Sequence, residues 1–521
     1  MGDRETNLRW PASLRGYGPL VAMCVAFLLM VVAVPSKAPT AAGASDGPGQ
    51  VTENEQASGG DSVKPCADRK NQIEGDPYSP PCLEWTGSDN GGETSRGVTA
   101  ASIAISARGS AGGADILSTM RRFLPNSSSS STAPANPATT QKTLEGLFEY
   151  FNKNFQFYGR KLELKAFEAK ADTTVELTGA GQQGAEADAV RVATEIEAFA
   201  DVTATTEPYN TALSAKKVIA LGAPYMSDEY FKNRRPYAWS YTPSCSTVSK
   251  ATSEAQIKTL AGKPAMYAGD PALRTKTRKI AIISPDNKEY QTCTKEGVAN
   301  LRANGTDAVT LSYPLDLGNL GKAAENLLNK LLSEGITSVA CACDPLLPRY
   351  LTEAATKANY RPEWMVMGTA LTDSDIVGAL YDKEQWKNAF GITALCQQFN
   401  TKESPAYKAF KSVRPNEEPV ESVEVIYYQL YLLAIGVQMA GPDLTPETFE
   451  KGMFAYPEHS GPGGSWKFGP GKYTPQTSAS VVWWDVEATS PVTGLKGTYQ
   501  RAGELYRIGE MPDAEPPVFK R

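Results

Sequence analysis

From residue 98 onward, short unbroken apolar runs alternate with stretches in which apolar residues recur every three or four positions. The runs predict buried strands and the recurrences predict helices. Ile103-Ala104-Ile105 lies near the end of a first strand over Val98–Ser106. Leu144, Leu147, Phe148, Phe151 and Phe155 predict a helix that Gly159 closes, and Lys161-Leu162-Glu163-Leu164 alternates as the next strand. Ala185, Ala189, Val192, Ile196 and Phe199 mark a further helix, and Val218-Ile219-Ala220-Leu221 a buried strand.

The rhythm restarts after Pro243. Strands are predicted at Lys279–Ile283, Ala308–Leu311, Ser338–Ala342 and Glu363–Gly368. Helices are predicted at Thr292–Ala303, Leu320–Ser333 and Pro348–Ala358, the first two ended by Asn304-Gly305 and Gly335. Such alternation means parallel sheets with right-handed crossovers, and two such runs mean two α/β lobes. The last part differs. A long apolar helix over Val423–Ala440 precedes the turn-rich Gly461-Pro462-Gly463-Gly464 and the strand-like Ser480–Trp484, so the chain is expected to cross back and complete both lobes.

Upstream of this rhythm stands a charge-free apolar run, Leu20–Val34, preceded by Arg4, Arg9 and Arg15. Fifteen apolar residues with a basic flank suit a signal segment or a single-pass anchor with its N-terminus in the cytoplasm. Cleavage, with Ala42-Gly43-Ala44 as a peptidase site, and retention both remain open. Residues 36–64 are rich in Gly, Ala, Ser, Pro and Thr and read as a flexible tether. Pro125–Gln141, with its serine run, reads as an exposed insertion.

Seven cysteines follow the apolar run, whose own Cys24 sits inside it. That usage points outside the cytoplasm. Cys66 and Cys82 bracket a short Pro-rich stretch and are expected to pair; Cys245, Cys293, Cys341, Cys343 and Cys396 have no pairing legible in the sequence. Cys341 and Cys343 fall on one face of a strand, one expected in the core and the other bridged elsewhere.

The net charge of −6, without a clustered basic patch, argues against nucleic acid as a partner. One histidine, His459, leaves little for nucleophilic catalysis, and no P-loop, GxSxG or HExxH motif occurs. No enzyme activity, cofactor or metal site is expected.

Several local motifs, taken in order, carry a resemblance. Gly97-Val98-Thr99 leads into the first strand; Phe151-Asn152 is followed by Gly159-Arg160-Lys161-Leu162-Glu163-Leu164; Ser284-Pro285-Asp286-Asn287 is followed by Tyr290; and Ala406–Phe410, Tyr427-Tyr428 and Ala440-Gly441 close the series. Over residues 65 to 510 this order resembles the type I periplasmic-binding-protein family, in its branched-chain amino-acid (leucine)-binding branch of ABC-transporter substrate-binding proteins. Tyr78–Cys82 and Asp89-Asn90-Gly91-Gly92 resemble an extension of actinobacterial members.

The resemblance implies two Rossmann-like lobes with parallel central sheets, joined by a three-crossing hinge. The resulting plan is a cytoplasmic N-terminus over 1–18, a signal or transmembrane segment over 19–35, a linker over 36–64 and a disulfide-bearing extension over 65–95. Lobe 1 takes 96–243 and 400–470; lobe 2 takes 244–399 and 471–515. The implied function is capture of a small amino acid, amide or organic acid outside the membrane, by hinge closure, for the permease and ATPase subunits of an ABC importer. The alternative is a membrane-tethered sensor working through a separate partner. A monomer is expected.

Carrying the family's binding loops over position by position implies a ligand set. Ser106, Thr203 and Ser227 would take a carboxylate, and Tyr290 and Asp344 an ammonium group. Arg108 in the first loop would suit an anionic ligand. Ser110, Tyr225 and Thr369 complete the lining. Pro224-Tyr225-Met226 departs from the small hydroxyl residues of amino-acid binders and makes the pocket more apolar.

Overall fold

The computed structural model describes residues 66, 69–109, 137–395, 401–513, 518 and 519. The apolar run Leu20–Val34, Ser110 and Cys396 therefore lie outside the described residues.

The first sheet is parallel throughout, in the order β2-β1-β3-β4-β5. Its strands are β1 (Ser102–Gly109), β2 (Lys161–Glu168), β3 (Ala200–Ala204), β4 (Ile219–Gly222) and β5 (Ala238–Trp239). The second has seven strands in the order β14-β13-β10-β9-β8-β6-β7. There β6 (Ile280–Pro285), β7 (Ala308–Tyr313), β8 (Ser338–Cys341), β9 (Glu363–Val366) and β10 (Ala389–Thr393) run parallel. The late strands β13 (Ser478–Thr489) and β14 (Lys496–Arg507) add on antiparallel, and β11 (His459–Gly461) pairs with β12 (Gly464–Trp466) as a small ribbon.

The continuous apolar runs are explained by what covers them. Every residue of β4, β6, β8 and β9 is buried, because helices lie on both faces of each sheet. On one face of the first sheet, helix Pro137–Asn154 packs Leu147, Phe148 and Phe151 against helix Val423–Ala440, which the chain supplies after the parallel strands of the second sheet. Helices Gln182–Arg191 and Glu207–Ala215 cover the other face. Helices Leu320–Ser333 and Leu347–Lys357 cover one face of the second sheet, and Cys245–Ala255 and Lys288–Ala303 the other. The chain passes between sheets three times: after β5, after β10 and between β12 and β13.

Two boundaries differ from expectation. Thr99 Oγ1 accepts from the N–H groups of Ala101 and Ser102 (3.2 and 2.9 Å), so a turn occupies the expected start of β1 and the strand runs on to Gly109. Gly97 sets that turn: with φ +71°, a Cβ there would stand 2.5 Å from the Glu197 carbonyl. The helix expected from Thr292 begins at Lys288, because its first turn is polar and carries no apolar period.

Cys66 pairs with Cys82. Cys245 pairs with Cys293, and Cys341 bonds directly to Cys343, correcting the expectation that they part ways. The segment after Cys66 is seated on the first lobe. Tyr78 is buried in its core, Tyr431 Oη donates to Asp76 Oδ2 (2.7 Å), and Gln438 Nε2 donates to the Pro81 carbonyl (2.9 Å). His459 is half-buried: it stacks on Tyr456, with Nδ1 2.8 Å from the Pro77 carbonyl.

Candidate functional site

In open parallel sheets the crevice beyond the C-terminal strand ends is where ligands sit. Here the loop after β4 (Gly222–Ser227) meets the strand end and first helical turn after β6 (Asp286–Tyr290) and the loop after β9 (Gly368–Asp373). Ser227 Oγ donates to Glu289 Oε2 at 2.8 Å, and the Ser227 N–H reaches the same oxygen at 3.4 Å. Asn287 Nδ2 donates to the Thr178 carbonyl at 3.0 Å, and the Leu371 N–H donates to Tyr225 Oη at 3.3 Å. The Cys245 N–H bonds the Met226 carbonyl at 3.0 Å, just after the first crossing.

Backbone strain collects at the same place. Tyr225 (φ 58°), Ala370 (φ 49°) and Leu371 (φ 67°) are non-glycine residues in the left-handed region, and Ala370 packs against the cluster of Tyr225, Cys245, Val248 and Cys293. Each such conformation costs on the order of 1–3 kcal/mol and persists where surrounding contacts over-determine it, a pattern common at ligand clamps.

Between helices Cys245–Ala255 and Lys288–Ala303, at the ends of β6, β8 and β9, lies a cavity of about 20 Å³. That is room for one water molecule. Its walls include Ile282, Ala342, Met367 and the Cys245–Cys293 bridge, and Tyr290, Thr294 and Thr369 bring hydroxyls to it. Thr294 Oγ1 is buried and has no hydrogen-bond partner among the described residues. An orphaned buried hydroxyl costs about 1–3 kcal/mol.

Two buried acids stand nearby. Burial pushes Asp373 up to about 6, against the hydrogen bond its Oδ2 accepts from the Thr393 hydroxyl. Burial also raises Asp344, which accepts from Tyr313 Oη (2.5 Å) and from the N–H groups of Leu346 and Leu347 (2.8 and 3.1 Å). Burial and then the Asp344 charge push the Tyr290 hydroxyl up. The Tyr225 hydroxyl is raised by burial and then by Asp373.

The structure thus gathers Tyr225, Ser227, Tyr290 and Thr369 at the junction of the lobes, with Asp344 behind Tyr290. It holds Ser106, Thr203 and Arg108 inside the first lobe. Ser106 Oγ donates to Asp201 Oδ2 (2.7 Å), and Thr203 Oγ1 donates to Asp201 Oδ1 (2.8 Å). Arg108 makes a bidentate pair with Glu176 (2.9 and 2.7 Å), reaches Asp188 at 3.4 Å and stacks on Tyr209 at 3.6 Å. Ser110 lies outside the described residues.

Asn287, Glu289, Thr294 and Asp373 were not singled out from the sequence. Thr294 follows Tyr290 by one helical turn, so its shared face was legible once the helix start was known. No group of three or more His, Cys, Asp or Glu side chains placed for a metal occurs among the described residues.

The sequence profile of the periplasmic binding protein family matches residues 126–489. Among solved structures, the chain is similar to an ABC-transporter substrate-binding protein from Aeropyrum pernix, at 13% identity and TM-score 0.54, covering 78% of this chain and 96% of that one. It is also similar to a solute-binding protein from Rhodopseudomonas palustris HaA2 in complex with p-hydroxybenzoic acid, at 12% identity and TM-score 0.54, covering 79% and 98%. A third is the leucine-, isoleucine-, valine-, threonine- and alanine-binding protein of Brucella ovis in its closed conformation, at 12% identity and TM-score 0.53, covering 78% and 96%. No curated protein matches the sequence.

Proposed function

This chain belongs to the periplasmic binding protein family, and we propose that it captures a small organic solute between its two lobes for the permease and ATPase subunits of an ABC importer. The family supports a solute-binding role outside the cytoplasm. The single observation that carries the finer reading is the Ser227–Glu289 contact: a strand-end loop of one lobe and the first turn of a helix of the other close on each other beside a hydroxyl-lined cavity. Lobes that part at these few hydrogen bonds would admit a solute, and their reclosure would bury it. Amino acids, amides and small aromatic acids are the classes to try first. The N-terminal apolar run, cleaved or retained, would deliver the chain to the outer face of the membrane.

The test is a thermal-shift screen of purified protein against those classes. A ligand that binds only the folded state raises the melting temperature, by about 2.7 kcal/mol of stabilisation at a hundredfold excess over Kd. Turnover of a chromogenic ester or glycoside, with no stabilising solute in a broad panel, would sink the reading.

A further inference from the structure

The four side chains that the resemblance assigns to a carboxylate or an anion, Ser106, Thr203, Arg108 and Ser227, each serve one of the protein's own carboxylates. Ser106 and Thr203 hold Asp201. Arg108 is spent on Glu176 and Asp188 at side-chain exposures of 3% and 0%. Ser227 gives both its hydroxyl and its N–H to Glu289. Asp201 is two residues from Thr203, and the other partners stand 62 to 95 residues away in the chain.

The cavity beside this contact is neutral. No Lys, Arg, Asp or Glu lines it; its polar groups include Tyr290, Thr294, Thr369 and Ser249, and Ser249 Oγ already donates to the Cys293 carbonyl at 2.8 Å. Among the described residues that line it, the Thr294 hydroxyl, in a residue 7% exposed, is fully buried without a hydrogen-bond partner. Behind Tyr290 stands the buried Asp344.

From this we infer that the cleft selects an uncharged solute, an amide or alcohol head on an apolar body, over the corresponding carboxylate. A carboxylate placed there would be desolvated beside a buried acid, with no cation among the described residues that line the cavity, which is the costly case. An amide or hydroxyl would complete Thr294 at the price of ordinary desolvation alone. This rests on the solute-binding reading above and deepens it.

The experiment is isothermal titration with matched pairs: benzamide against benzoate, 4-hydroxybenzamide against 4-hydroxybenzoate, and isovaleramide against isovalerate. The neutral member of at least one pair is expected to bind ~10-fold or more tightly than its carboxylate. Thr294→Val should weaken the neutral member while leaving the melting temperature of the free protein unchanged or higher. Glu289→Ala, which frees the Ser227 donors, should narrow the neutral-to-anion ratio. A carboxylate that binds as well as or better than its amide overturns the inference and leaves solute binding standing. Silence from both members of every pair counts against solute binding itself, and the inference falls with it.

Discussion

Tyr225 and Leu371, both with positive φ (58° and 67°), meet across the two lobes through a hydrogen bond from the Leu371 N–H to Tyr225 Oη at 3.3 Å. The strained backbone on each side is held by the other. Tyr225→Phe keeps the ring in its cluster and removes the acceptor. It is expected to cost about 1 kcal/mol and to speed hydrogen exchange at the Leu371 amide, leaving the β6 and β8 amides protected. Unchanged exchange at Leu371 would show that the bond does not hold the lobes.

Arg108 anchors the turn that presents Thr178 to Asn287, since its partner Glu176 lies on the short helix Thr173–Glu176. Arg108→Met strands Glu176 and Asp188 as buried unpaired acids and is expected to lower unfolding free energy by about 3–5 kcal/mol. Adding Glu176→Gln should recover part of the loss, as coupled neighbours do. A urea midpoint within error of wild type would refute the buried pair.

Asp373 supplies a pH dependence of defined sign. Its folded value, pushed to about 6 by burial, lies above the ordinary 3.8, so the folded state holds the proton more tightly. The contribution is full below the ordinary value and is lost as pH rises through 6. Between pH 4 and pH 7 the wild type is expected to lose on the order of 2–3 kcal/mol relative to Asp373→Asn. The check is the difference in melting curves of the two proteins across that range; a flat difference disproves it.

The Cys245–Cys293 bridge ties the first crossing to the helix that carries Glu289, Tyr290 and Thr294, closing a separation of 48 residues. Replacing both cysteines by serine removes up to about 4 kcal/mol on the chain-entropy account. The expected signature is a lower melting temperature together with faster exchange at the Ser227 amide. Equal melting temperatures would mean that packing alone seats the helix.

The fold was legible because its cause is local: apolar runs such as Ile280–Ile283 and helical stripes such as Leu320–Leu331 declare themselves within a few residues. Gly305 and Gly335 ended helices as expected, each with positive φ. The site was half legible. Loop positions Tyr225, Ser227, Tyr290 and Thr369 follow strand ends and come together at the lobe junction. The partners of Ser106 and Arg108 lie far along the chain, so nothing near these residues reveals that they are already engaged, whereas Asp201 stands only two residues from Thr203. Positive φ at Tyr225, Ala370 and Leu371 is equally silent, since none is a glycine and tertiary contacts impose the conformation.

The seat of the Cys66–Cys82 segment on the first lobe has a mechanical consequence. Asp76, Tyr78 and Pro81 are gripped by Tyr431, Tyr456 and Gln438, all of the first lobe. Any pull or drag arriving from upstream of Cys66 is therefore taken up first by that lobe, as a mooring line is borne by its post. It reaches the second lobe only onward, through the three crossings and the loop contacts such as Ser227–Glu289.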